Sequence, residues 1–169
     1  GAKRINPVTD IYMEKDSVLT MDTIQLSGVD TTERKTTAKL ADNAKIIVRE
    51  RLLTDGDEYA KTEFDIVLEG ENSGADVVSR SVAKGDSTQL FYPKLTGNND
   101  CFGHVTCDSI IMDNAKVRSI PEICANSVDA RLVHEAAIGK IAGEQLIKLM
   151  TLGLTEKEAE EQIIGGFLK

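Results

Sequence analysis

From about Ile11 to Glu135, apolar and polar residues alternate in short runs broken by turn residues, the period-two pattern of strands with one buried face. Glu63 to Glu69 shows it well: Phe64, Ile66 and Leu68 share one face, while Asp65 and Val67 take the other. The runs are separated by Thr54-Asp55-Gly56-Asp57, Gly70-Glu71-Asn72-Ser73-Gly74, Lys84-Gly85-Asp86-Ser87 and Gly97-Asn98-Asn99-Asp100, all rich in residues that tolerate turn dihedrals. No run in this region has helical spacing, so the body is predicted to be all-β.

The last thirty residues change period. Leu146, Ile147, Leu149 and Met150 recur at helical spacing, and Gly153 stands where a glycine would end that helix. A second helix is predicted from Thr155, which with Glu158 fits a capping box; Ala159, Ile163 and Ile164 form its apolar stripe. So small a hairpin cannot bury its own stripes and must pack on the body or on a partner. The expected division is a strand body over residues 1–140 and a helical element over 141–169.

Asp42-Asn43-Ala44-Lys45-Ile46 returns as Asp113-Asn114-Ala115-Lys116-Val117, and Gly74-Ala75-Asp76-Val77 has a similar turn-into-strand form. Repetition of this unit suggests a solenoid. The irregular spacing of the copies leaves a β-helix and a sandwich both open.

Composition narrows the function classes. At 169 residues the chain holds one sizeable core. Its net charge of −8, with no basic cluster, offers nothing to a phosphate backbone, so no nucleic acid partner is expected. Aromatics at 4% and no Trp remove the platforms on which sugars or bases stack. No stretch is long and apolar enough for a bilayer, so no membrane partner is expected either. Three cysteines, an odd number, argue against a disulfide framework and for a reducing, cytoplasmic setting. Residue 1 is Gly rather than Met, and the chain is read as part of a longer one.

Phosphate loops, dinucleotide fingerprints and His-Glu-x-x-His motifs are absent, so the common nucleotide and protease readings have no support and the chain is not read as an ATPase. What remains is a set of soft and borderline metal ligands: Cys101, Cys107, Cys124, His104 and His134. Pattern alone places Cys124 in the core, Cys101 exposed in a polar turn, and His104 at the surface as a hydrogen-bonded histidine; Cys107 and His134 sit on apolar alternations and read as core.

The segments Gly103-His104-Val105-Thr106-Cys107-Asp108-Ser109-Ile110-Ile111-Met112, Arg118-Ser119-Ile120-Pro121-Glu122-Ile123 and Leu132-Val133-His134-Glu135-Ala136-Ala137-Ile138-Gly139-Lys140-Ile141 closely resemble the SufB/SufD family of iron–sulfur cluster assembly proteins. Glu144-Gln145-Leu146 onward to Ile163-Ile164-Gly165-Gly166-Phe167-Leu168 does so too. The resemblance covers roughly Leu95 to Lys169 and implies a right-handed parallel β-helix followed by a short carboxy-terminal helical hairpin. It implies a scaffold subunit of the SUF system, not itself catalytic, that holds a nascent iron–sulfur cluster only transiently. The cluster is expected to be absent from the isolated chain.

The implied partners are a SufC-like ATPase on the terminal helices and a SufB/SufD-type partner, or a second copy in a homodimer, along the β-helix. Cys107 matches the cysteine of the SufB branch, and His134 and Glu135 match the His-Glu of the family's Leu-x-His-Glu-Ala segment, which resemble cluster or iron ligands. Val133 departs from the pattern where the SufB branch can carry a second glutamate. A purely structural β-helix without metal is the alternative, and a β-helix glycan lyase a remoter one, with Arg49 and Arg51 as its only outward basic pair.

Alternation places Cys107 inward with Val105, Ser109 and Ile111, and His134 inward with Val128, Ala130 and Leu132; Glu135 falls on the other face. With ~20 to 25 residues per coil, Cys107 and His134 should sit on adjacent coils, with Cys107 shielded from thiol reagents and Cys101 open to them.

Overall fold

A computed structural model describes residues 1–169 as twelve strands followed by two helices. The strands are β1 (Arg4–Ile5), β2 (Val8–Met13), β3 (Val18–Leu26), β4 (Thr31–Leu40), β5 (Lys45–Thr54), β6 (Tyr59–Leu68), β7 (Ser73–Ala83), β8 (Thr88–Gly97), β9 (Cys101–Ile111), β10 (Lys116–Ser119), β11 (Glu122–Ala125) and β12 (Ala130–Gly139). The helices are α1 (Gly143–Thr151) and α2 (Glu156–Phe167).

Every strand pairing is parallel, and successive strands go to alternate sheets. One sheet runs β1 and β2, β4, β6, β8, then β10 and β11; the other runs β3, β5, β7, β9, β12. This is a parallel β-helix of about five coils. Register partners are 27 to 29 residues apart, so each coil is longer than expected from a generic solenoid.

The coil length follows from two strands of about ten residues joined by corners of three or four. Those corners explain the turn residues. Asp16, Asn43 and Asn72 take positive φ at one corner, and Gly56, Gly85 and Asp113 at the other, a conformation that Gly, Asn and Asp adopt most readily. Side-chain bonds stack successive coils: Asn43 Nδ2 donates to Asp16 Oδ1 at 2.8 Å, and Asn72 Nδ2 to Asn43 Oδ1 at 2.9 Å. The two copies of the Asp-Asn-Ala-Lys repeat lie on opposite corners, about two and a half coils apart, which is why their spacing looks irregular.

Inward positions form ladders across the coils. Leu40 and Leu68 stack, as do Ala38, Ile66 and Leu95, and Val48, Val77 and Val105, all nearly fully buried. Phe64 and Phe91 meet edge-on at 6.1 Å. The core is not wholly apolar. Glu50, at an inward position of β5, is 4% exposed, and its carboxylate accepts from Thr62 Oγ1 at 2.9 Å and Ser79 Oγ at 2.8 Å.

Burial pushes the Glu50 carboxyl above its usual 4.5, against the hydroxyls of Ser79 and Thr62 and the charge of Arg34. A carboxyl with a raised folded pKa binds its proton more tightly in the native state, so its contribution to stability is full at acid pH and is lost as pH rises through the folded pKa. Relative to Glu50→Gln, which cannot ionise, the parent chain should therefore lose stability as pH climbs above 4.5. Thermal unfolding across a pH series checks this; a pH-independent gap between the two proteins would refute it.

The helices follow sequence expectation closely. Gly153 after α1 has φ +98°, and Thr155 and Glu158 form the reciprocal capping box of α2. Ala159 is fully buried, while Ile147, Met150 and Leu152 remain exposed. At its far end α2 reaches the outer wall of the second sheet, where Arg51 bonds the main-chain oxygen of Lys169.

Candidate functional site

β9 and β12 are the last two rungs of the second sheet, in register from Cys101 against Ala130 to Ile110 against Gly139. The alternation of β9 sends Cys101, Gly103, Val105, Cys107 and Ser109 into the lumen and His104, Thr106 and Asp108 to the outer wall. In β12 the inward set includes Ala130, Leu132 and His134, and the outward set Arg131, Val133 and Glu135. Val128 precedes the strand and is fully exposed, contrary to its expected inward place, because the corner has not yet closed there.

Two ladders converge at this end. Glu50, Ser79, Cys107 and Ala136 occupy one register line, and Val48, Val77, Val105 and His134 the line beside it. Cys107 and His134 are therefore diagonal neighbours on adjacent coils, offset by two residues; at ~4.8 Å between strands and ~3.3 Å per residue their Cα atoms lie roughly 8 Å apart.

Cys107 is 2% exposed and lies 3.9 Å from Ser109 Oγ, which in turn meets Ser81 Oγ at 2.8 Å. Burial pushes its thiol up, with the Ser109 hydroxyl partly opposing. Burial also lowers the His134 pKa from its usual 6.5, helped by nearby His104, so its ring is neutral at pH 7 with a nitrogen lone pair to offer. His134 Nε2 is buried and has no hydrogen-bond partner, and neither has Ser119 Oγ. In native proteins such orphaned buried polar atoms are few. Here one belongs to a side chain that bonds metals readily.

Glu135 lies elsewhere. Its carboxylate is on the outer wall, 3.1 Å from His104 Nε2, while Asp76 Oδ1 lies 3.5 Å from His104 Nδ1. Thr106 Oγ1 is 3.4 Å from the same Nε2. His104 is thus the bonded surface histidine expected, and the sheet separates Glu135 from Cys107 and His134. No three His, Cys, Asp or Glu side chains converge as a metal-binding group.

Two cysteines depart from expectation. Cys101 is buried rather than exposed: the polar turn ends at Asp100, and Cys101 is the first inward residue of β9, stacked on Ser73 and under Ala130. Cys124 is only half-buried rather than core, because β11 belongs to the final coil and nothing stacks beyond it; its thiol lies 3.7 Å from Glu122 Oε1. Sequence reasoning also passed over Glu50, whose signal was a charge at an inward position between Val48 and Leu52. In the folded protein, an alkylating reagent at neutral pH should modify Cys124 at least about tenfold faster than Cys101 or Cys107. Peptide mass spectrometry reads the order, and Cys101 labelling first would contradict the structure.

A family model described as SUF system FeS cluster assembly, SufBD core domain, matches residues 6–167. The chain is 32% identical over 168 residues to an iron–sulfur cluster assembly SufBD family protein of Methanothermobacter thermautotrophicus strain Delta H, covering 97% of this chain and 41% of that protein. It is 30% identical over 166 residues to one of Archaeoglobus fulgidus, covering 98% and 45%, and 35% identical over 127 residues to one of Methanocaldococcus jannaschii, covering 75% and 40%. The chain thus spans about two fifths of the length of these curated relatives.

Proposed function

The chain belongs to the SufBD family of iron–sulfur cluster assembly proteins, and from that premise we propose that it forms the end of a scaffold on which a cluster is built as cargo. The observation that carries this reading is the lumen end of the last two coils, where the Cys107 thiol and the unpartnered His134 Nε2 share one inner wall. A thiolate and a neutral imidazole suit iron in a sulfide-bridged cluster. Two donors leave a cluster under-coordinated, so the set is completed from a paired chain.

Pairing has a surface to use. The final coil leaves the outer edges of β10, β11 and β12 without strand partners, and Ile120, Ile123, Val133 and Ile138 are exposed there. A second copy or a SufB/SufD-type partner covers them, and Cys107 favours the SufB-like role. Glu135, on the outer wall with His104, serves from outside the lumen, as a ligand only after β12 rearranges. The exposed Ile147, Met150 and Leu152 of the hairpin at 141–169 make the docking face for a SufC-like ATPase, which supplies the catalysis the chain lacks. No helix is long and apolar enough to cross a membrane, and the site of action is the cytoplasm.

Anaerobic incubation with ferrous iron and sulfide tests the reading. Sulfur-to-iron charge-transfer absorbance should appear and co-elute with a dimer on size exclusion. A colourless monomer would reduce the chain to a structural β-helix module. Removing residues 142–169 should abolish capture of a SufC-like ATPase while leaving cluster absorbance in place.

A further inference from the structure

We propose that the outer wall of the second sheet carries an oxyanion site, built from Arg49, Arg51 and Arg80, that takes a phosphoryl-type dianion. It stands independently of the cluster-assembly reading. Arg49 and Arg51 are outward residues of β5, and Arg80 is the outward residue of β7 in register with Arg51. One strand spacing, ~4.8 Å, separates the backbones of Arg51 and Arg80, and like charges directly opposite in a ladder are destabilising. A chain of net charge −8 has thus gathered three guanidinium groups at one place.

Their own neutralisation is slight. The Arg51 guanidinium is 3.7 Å from Asp22, and neither Arg49 nor Arg80 enters an ion pair. Asp108, the register neighbour of Arg80 on β9, is not within ion-pair distance. The Glu50 carboxylate turns into the lumen towards Thr62 and Ser79. Arg49, Arg51 and Arg80, with Lys169 beside them, outnumber Asp22 and Asp108, an excess of positive charge that a dianion offsets further than a single carboxylate does.

The site also has a shape. The arginines, Glu50, Val78 and Lys169 border a cleft of about 170 Å³, room for on the order of ten water-sized spheres. At its mouth Arg51 Nε and Nη2 both donate to the main-chain oxygen of Lys169, at 3.2 and 2.7 Å. A phosphate that displaces the Lys169 oxygen would offer these two donors two oxygens, the bidentate fork in which arginine meets phosphate.

The test is thermal unfolding in rising inorganic phosphate, with sodium chloride and sodium acetate at matched ionic strength, on the parent chain, Arg80→Gln and Arg49→Gln. Phosphate should raise Tm where chloride and acetate do not, and each variant should need at least about tenfold more phosphate for the same rise. Both variants relieve repulsion and should fold, which circular dichroism verifies; ³¹P line broadening measures binding directly. An arm with a nucleoside diphosphate distinguishes the sources: tighter binding assigns the phosphoryl group to a nucleotide, equal or weaker binding to the free anion. No phosphate effect beyond chloride, an effect kept by both variants, or equal stabilisation by acetate would overturn the proposal.

Discussion

Gly70→Ala should lower stability by about 3–5 kcal/mol, at the upper end of what single substitutions do. Gly70 sits in the corner after β6, and a Cβ there would fall inside the van der Waals envelope of Asp42 N and Ala41 C, backbone atoms of the corner one coil below. Neither side can yield cheaply. The Gly70 N–H bonds Leu40 O at 3.0 Å, and Gly70 O accepts from Ser73 Oγ at 2.7 Å, so moving the corner breaks the ties that hold β6 and β7 to their neighbours. For a chain of this length the loss corresponds to a Tm fall on the order of 10 °C. Gly165→Ala is the control: it lies in α2 with nothing within 4 Å of its Cβ position, and a gain of about 0.5–1 kcal/mol is expected from helix propensity. Denaturant midpoints for the two variants decide it, and a neutral Gly70→Ala would mean the coils stack less tightly than described.

Cys107→Ser and His134→Ala should each abolish cluster retention in the assembled complex, an all-or-none effect. The informative variant is His134→Leu. If His134 were only a packing residue, losing its ring would cost stability. Its buried Nε2, however, has no partner, and an unsatisfied buried polar atom costs about 1–3 kcal/mol. His134→Leu should therefore raise the stability of the metal-free chain by about 1 kcal/mol while removing the cluster signal. Unchanged cluster loading with His134→Leu would return the residue to the core. Loss of loading together with a large loss of stability would point to misfolding rather than to a missing ligand.

The inner and outer faces were legible in the sequence because a strand's alternation is a local property: Phe64, Ile66 and Leu68, or Cys107 beside Asp108, declare their sides without reference to any neighbour. Coil length was not, since it depends on how corners such as Ala41 to Ala44 close, and ~20 to 25 residues was too short an expectation. Cys101 and Cys124 were misread for a related reason. Burial at a coil is decided by what stacks above it: Cys101 has Ala130 over it, whereas β11 has no strand beyond. Pattern put His134 on the inner face, but only the register showed it diagonal to Cys107 and left its Nε2 without a partner. Glu50 was overlooked because its inward position matters only once Ser79 and Thr62 come into reach from the next coil and the opposite sheet.

The 27-to-29-residue register has a bearing on how such a chain can change over generations. Each rung touches only the rungs on either side, so gaining or losing a whole coil lengthens or shortens the tube while carrying the terminal pair of rungs along unaltered. A one-residue insertion within a strand is different in kind. It turns that rung's inner residues outward, and at β9 or β12 it would put the thiol or the imidazole on the wrong side of the wall. Length is free to drift in steps of one coil, and within the last two rungs it is locked to the single residue.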